Sequence, residues 1–210
     1  MRGRTSGAPS GGDSTRNADP NVWGPPLWDL LFAIALKTPR TPAGRAVAEE
    51  LFAQLEKVLP CQQCRRSYTM YRAQHPWRPH VDAAEWLWTI HDMVNQNLGK
   101  ICISYQKVVD RHAVFTSVPH PLAVVDLLCI IAQTARPNHA AEFVNTVLRA
   151  SSACDGLRLL RKAFANINQA NRIDEVGMKE ALHAAHTFLC QIYDTPPSAD
   201  VDRFWERYAC

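Results

Sequence analysis

Apolar residues recur along this chain with a helical period, and no segment alternates in the two-residue period of a half-buried strand. Pro25 and Pro26 open a first predicted helix from about Leu27 to Leu36, with Trp28, Leu31, Phe32 and Ala35 on one face. A Pro-rich turn covers Thr38 to Pro42. Val47, Leu51, Leu55 and Val58 then mark an amphipathic helix over Gly44 to Leu59. Pro60 breaks it and can start a third helix, which carries Cys61 and Cys64 in its first turn and fades by Gln74. The stretch from His75 to His80 is a loop, because Pro76 and Pro79 do not suit a helix interior. Asp82 caps the next helix, with Glu85 placed for a capping box, and Gly99 stops it. A shorter segment runs from Ser104 to His112.

Val118 to Pro121 reads as a boundary. Four more helical patterns follow, Leu122 to Thr134, His139 to Ala150, Leu157 to Ile167 and Asp174 to Tyr193, and a short last helix, Val201 to Tyr208, comes after Pro196-Pro197. The expected fold class is all-α: a disordered tail over 1–20, a first domain over 21–117 and a second helical domain over 118–210. The tail has no apolar core for a secretory signal, and its glycines work against the amphipathic helix of a mitochondrial presequence. The longest apolar run, Leu122 to Ala132, contains Asp126 and is too short to span a bilayer. No membrane partner is expected, and a cytoplasmic location is the default.

Composition adds exclusions. Hydrophobic residues are 47% and charged residues 20% of the 210, which suits a globular body. A formal charge of +3 without long basic runs gives no footprint for nucleic acid. Seven cysteines at irregular spacing do not form a secreted disulfide framework, and only Cys61 and Cys64 are a close pair.

That pair carries the chemistry. A thiolate is the nucleophile in disulfide exchange, and the first turn of a helix favours it, as do the nearby Arg65 and Arg66. Cys61, at the helix start, is assigned to attack by substrate thiols, and Cys64, one turn deeper, to the electron acceptor. Two alternatives stay open. Cys61, Cys64, His75 and His80 approach zinc-finger spacing, although Pro76 and Pro79 keep the histidines off a common helix; the pair could also be structural. Downstream, Trp88, His91, Asn95 and Leu98 form a stripe that could hold a planar heterocycle, with Lys100 within reach of a phosphate. Taken alone, a histidine on a buried face is more often a core residue, and so are the tryptophans of the Trp23 to Trp28 opening. Near the other end, His183, His186 and Cys190 share a helix face and could ligate a metal, but packing and surface roles are favoured. Cys154 and Cys190 could pair; buried free thiols are preferred.

In order and spacing, the segments from Trp23 to His112 resemble the Erv/ALR family of FAD-linked sulfhydryl oxidases. The shared parts are Trp28 with its apolar helix, Pro60 to Cys64, and His91, Asn95 and Leu98-Gly99-Lys100. The Trp-Gly-Pro-x-x-Trp opening is most similar to the oxidases of large DNA viruses, which also carry a helical extension. The resemblance implies a helical bundle that holds FAD at its mouth, usually as a homodimer, in the host cytoplasm or virion if viral. It implies FAD contacts at Trp23, Trp28, His91, Val94, Asn95, Leu98 and Lys100, and an active disulfide at Cys61 and Cys64, with Cys64 next to the flavin. Protein dithiols, directly or through a thioredoxin-like carrier, would reduce the pair. Two electrons would then pass to the flavin and on to dioxygen, giving hydrogen peroxide. The chain departs from the family's pattern at Phe32 (often His), Leu59 (often Tyr), Tyr105 (often Cys) and His112 (often Trp). A second close cysteine pair, the usual shuttle, is lacking; Cys210 could act singly.

Overall fold

Caps and prolines decide where the helices of this protein begin. The computed structural model describes residues 18–78, 80–113, 120–165 and 173–195. Among these there are nine α-helices and no strand: α1 (Pro20–Ala35), α2 (Pro42–Val58), α3 (Gln62–Gln74), α4 (Ala83–Asn97), α5 (Tyr105–Ala113), α6 (Pro121–Thr134), α7 (Pro137–Ala150), α8 (Arg158–Ala165) and α9 (Gly177–Tyr193). The all-α expectation therefore holds. The tail over 1–17, the boundary at Val118 and the last helix from Val201 lie outside the described residues.

One boundary is corrected. Helix α1 starts at Pro20, so Pro25 and Pro26 lie inside it rather than opening it. The Asp19 carboxylate accepts the Asn21 N–H at 2.9 Å and caps the earlier turn. Gly24, with no Cβ for the following proline ring to strike, tolerates helical backbone there. The first turn is also docked: Trp23 is buried, and its Nε1 donates to the Ala18 carbonyl at 3.2 Å.

Other ends follow local chemistry. Thr41 Oγ1 accepts the Gly44 N–H at the start of α2, and Asp82 accepts the Ala84 N–H at the start of α4. Pro60 stays outside α3, whose N-cap is Cys61. Helix α4 ends in a Schellman turn: Lys100 N–H donates to Asn95 O at 2.8 Å, Gly99 N–H donates to Gln96 O at 3.1 Å, and Gly99 has φ +65°. Two 3₁₀ turns, Ser151–Ala153 and Asp155–Leu157, precede α8; the Arg161 guanidinium donates to the Ser151 carbonyl at the start of the first. Helix α9 begins at Gly177, after Asp174 Oδ1 has accepted the Gly177 N–H.

A continuous core runs through the bundle. Leu30, Leu31, Leu51, Leu55, Leu87 and Ile90 are fully buried in the first half, and Val124, Leu128, Phe143 and Val147 in the second. Helix α2 packs extensively on α7, and α1 packs on both α4 and α6. Polar groups cross the same seam. Glu50 Oε1 accepts from Arg149 Nη2 at 2.6 Å and from Thr146 Oγ1 at 3.1 Å, and Gln54 Nε2 donates to Thr146 Oγ1 at 3.1 Å. The Gln54 Oε1 atom is buried there without a hydrogen-bond partner. Cys154 is buried and no disulfide joins it to Cys190. No helix among the described residues is long and apolar enough to cross a membrane.

The shared core predicts coupled unfolding. Phe143→Ala is expected to cost about 3–5 kcal/mol. Because five of the six tryptophans precede residue 90, the loss should appear in the tryptophan-fluorescence urea midpoint as well as in circular dichroism. A fluorescence midpoint that stays put would separate the two halves.

Candidate active site

The strongest chemical feature is a covalent one at a helix start. Cys61 and Cys64 are joined by a disulfide, with Cys61 at the N-cap of α3 and Cys64 in the first turn. Cys61 Sγ accepts the Cys64 N–H at 3.1 Å, so sulfur occupies one of the positions that oxygen usually fills at a helix cap. Arg65 donates to the Leu59 carbonyl at 2.5 Å, which holds a guanidinium against the turn before the pair. Ala18 N–H donates to Pro60 O at 2.8 Å and ties the start of α1 beside the start of α3.

These ends border a cavity of about 620 Å³ between α1, α3, α4 and α5. Cys61 and Cys64 both line it. So do Trp23, Trp28, His91, Val94, Asn95, Leu98 and Lys100, the residues singled out from the sequence. The Trp28 and His91 rings lie 4.5 Å apart between centroids, and Phe32 meets His91 edge-on at 5.7 Å. Trp88 departs from the expected stripe. Its ring packs near Tyr105, and its Nε1 donates to the Ile103 carbonyl at 2.8 Å, so it anchors the segment after α4 rather than lining the cavity.

Several lining residues escaped the sequence reading. Phe32 and His112, two positions where the chain departs from the family's pattern, both face the cavity, with ring centroids 5.6 Å apart. Tyr68 and Tyr71 line it from α3, one and two turns beyond Cys64, a spacing that was visible in the sequence. Arg111 lines it from α5 and pairs with Asp29 of α1 at 3.2 Å; only the folding of α5 back onto α1 brings it there. Lys100 and Arg111 bring two cations to this part of the wall, and Asp29 opposes the second of them.

Two details indicate room for a polar, planar guest. His91 Nδ1 is buried and has no hydrogen-bond partner. A Cβ built on Gly24, itself on the cavity wall, would meet nothing within 4 Å. Burial holds the His91 imidazole below its usual 6.5; Asp92 opposes this, and Lys100 and Arg111 add to it, so the ring is neutral at pH 7. Among the described residues no group of three or more His, Cys, Asp or Glu side chains is gathered for a metal ion. The sulfurs that a zinc site would need are bonded to each other.

Over part of its length the chain is similar to known proteins. Residues 25–113 match the Erv1 / Alr family. Among curated proteins, the FAD-linked sulfhydryl oxidase ERV1 of Oryza sativa subsp. japonica is 32% identical over 88 residues, which cover 40% of this chain and 45% of that protein. The chain thus spans less than half the length of this relative. No solved structure gives a significant match.

The neutral, partly buried His91 sets a pH dependence. Its unfolded-state form takes up a proton near pH 6.5 while the folded form resists, so stability falls as pH drops below that value. Between pH 7.5 and 5.5 the melting temperature of the wild type is expected to fall further than that of His91→Gln. Parallel melting curves for the two proteins would contradict this.

Proposed function

We propose that the α1–α5 region is a flavin-linked thiol oxidase that converts protein dithiols into disulfides. One observation carries the reading: a helix-capping disulfide opens onto the same cavity as Trp28, His91, Asn95 and Lys100. The likeness of residues 25–113 to the Erv1 / Alr family and to an FAD-linked sulfhydryl oxidase supports it.

The residues present fit FAD. Trp28, Phe32 and His91 supply ring surfaces, and Trp23, Val94 and Leu98 add apolar wall. The unpartnered His91 Nδ1 and the Asn95 amide can hydrogen-bond a heterocycle edge, and Lys100 and Arg111 can meet the diphosphate. Bound FAD would accept two electrons from the reduced pair and deliver them to dioxygen, giving hydrogen peroxide.

The chain's own part is disulfide exchange. A substrate thiolate attacks Cys61 Sγ, the Cys61–Cys64 bond breaks, and Cys64 leaves as a thiolate. The amide groups at the start of α3 and the Arg65 charge stabilise that anion. The second substrate thiol then attacks the mixed disulfide and leaves the substrate oxidised and Cys61 reduced.

Exposed Gln62 and Gln63 leave the helix start open to a protein dithiol or a thioredoxin-like carrier. A homodimer would have to use faces other than those of α1 and α2 that α6 and α7 already cover. A viral source, with a cytoplasmic or virion location, belongs to the same proposal and rests on the Trp23 to Trp28 motif alone.

Purified protein is expected to be yellow and to bleach under anaerobic dithiol. Cys64→Ser should keep the colour and abolish the bleaching. Bound metal without flavin absorbance would overturn the reading. In a separate assay, Cys210→Ser should leave protein-dithiol oxidation unchanged. A large loss with protein substrates but not with small dithiols would instead make Cys210 a shuttle.

A further inference from the structure

One cluster of nucleophilic and titratable side chains has no part in the oxidase reading, and it lies in the second half of the chain. His186 and Cys190 are one turn apart on α9 and share a face. Cys190 Sγ lies 3.7 Å from His186 Nδ1 and 3.8 Å from Nε2. The imidazole is 3% exposed, and its Nε2 is 3.5 Å from Asp126 Oδ1 on α6. That oxygen is buried and has no hydrogen-bond partner, so the imidazole is the polar group set beside it at ion-pair distance. The sequence places His186 and Cys190 together, but only the packing of α6 on α9 adds the carboxylate.

Carboxylate, imidazole and thiol in this order form a nucleophile with its base and the base's orienting group. The Asp126 carboxylate beside Nε2 favours a proton on the ring, and the sulfur lies about equally far from the two ring nitrogens. Cys190 is partly exposed, so a small reagent can reach it. The other described thiols lack this combination. Burial, with Asp126 adding to it, pushes the Cys129 thiol up, and Cys154 is buried. Cys102 is exposed, but its interaction with Asp92 raises its thiol.

We propose that Cys190 is a second reactive thiol, converted to a sulfenic acid by hydrogen peroxide with His186 as base and Asp126 as the positioning residue. The thiol proton passes to the His186 imidazole, and sulfur attacks one peroxide oxygen. The S–O bond forms as the O–O bond breaks. The departing hydroxide takes the proton from His186 and leaves as water. Sulfur loses two electrons and peroxide gains them. The site needs neither a flavin nor the Cys61–Cys64 pair, so it stands apart from the oxidase reading.

The test uses the full chain with Cys61–Cys64 oxidised and no dithiol added. It is exposed to brief pulses of hydrogen peroxide with a cyclic dione that traps sulfenic acids, and each cysteine is quantified by peptide mass spectrometry. Cys190 is expected to label ~10-fold faster than Cys102, and Cys129 and Cys154 slowest. Asp126→Asn should bring Cys190 down towards Cys102, and Asp126→Glu, which keeps the charge, should recover part of the loss. His186→Gln should act like Asp126→Asn. Because His186 is buried and its variant can fail to fold, the wild-type ranking and the Asp126 pair decide the matter without it. Cys190 labelling no faster than Cys102, or at an unchanged rate in folded Asp126→Asn, would overturn the proposal.

Discussion

A helix that is apolar on every side has to be covered on every side, and α1 is that helix. Leu30, Leu31, Phe32, Ala33, Ile34 and Ala35 are consecutive and all buried. No single partner can do this. Helices α4 and α5 take one side of α1 and enclose the cavity with it, while α6 takes another. The second half of the chain therefore does structural work for the first, because without α6 an apolar face of the cavity's own wall would meet water. Burying one large aliphatic side chain is worth roughly 1.5–3 kcal/mol, so α1 alone gives strong reason for the two halves to stay together.

Helix ends then supply what the apolar faces cannot. The chemistry around the cavity comes from the start of α3 and the finish of α4. Cys61 uses its sulfur as a cap, which couples the redox state of the pair to the hydrogen bonding of the first turn. The Schellman turn at Gly99 spends backbone N–H groups on backbone carbonyls, so the Asn95 side chain is not needed as a cap and can face the cavity. The same turn aims the chain so that Lys100 borders the cavity from outside the helix.

Much of this was legible in the sequence, for reasons that are local. Asp82, Gly99 and the 3.6-residue period of Leu51, Leu55 and Val58 act within a turn or two of themselves. Cys61, Cys64, His91, Asn95 and Leu98 were found because spacing on one helix is a local property as well. Reading failed where geometry is set by a distant partner. Pro25 and Pro26 look like a helix opening until Trp23 is seen docked and Asp19 capping an earlier turn. Trp88 shares a stripe with His91 by number, yet the Ile103 carbonyl draws its indole away. Arg111 and His112 reach the cavity only because α5 folds back onto α1. Asp126 could not be joined to His186 before α6 and α9 were packed.

The buried Gln54 Oε1 has a consequence of its own. An acceptor stranded away from water costs about 1–3 kcal/mol, and this one sits where α2 meets α7. A water molecule admitted there would regain that energy, and to enter it must part the two helices. Hydration thus favours breathing at this junction over breathing anywhere in the purely aliphatic layers, so thermal motion that loosens the bundle starts between its halves rather than within either one.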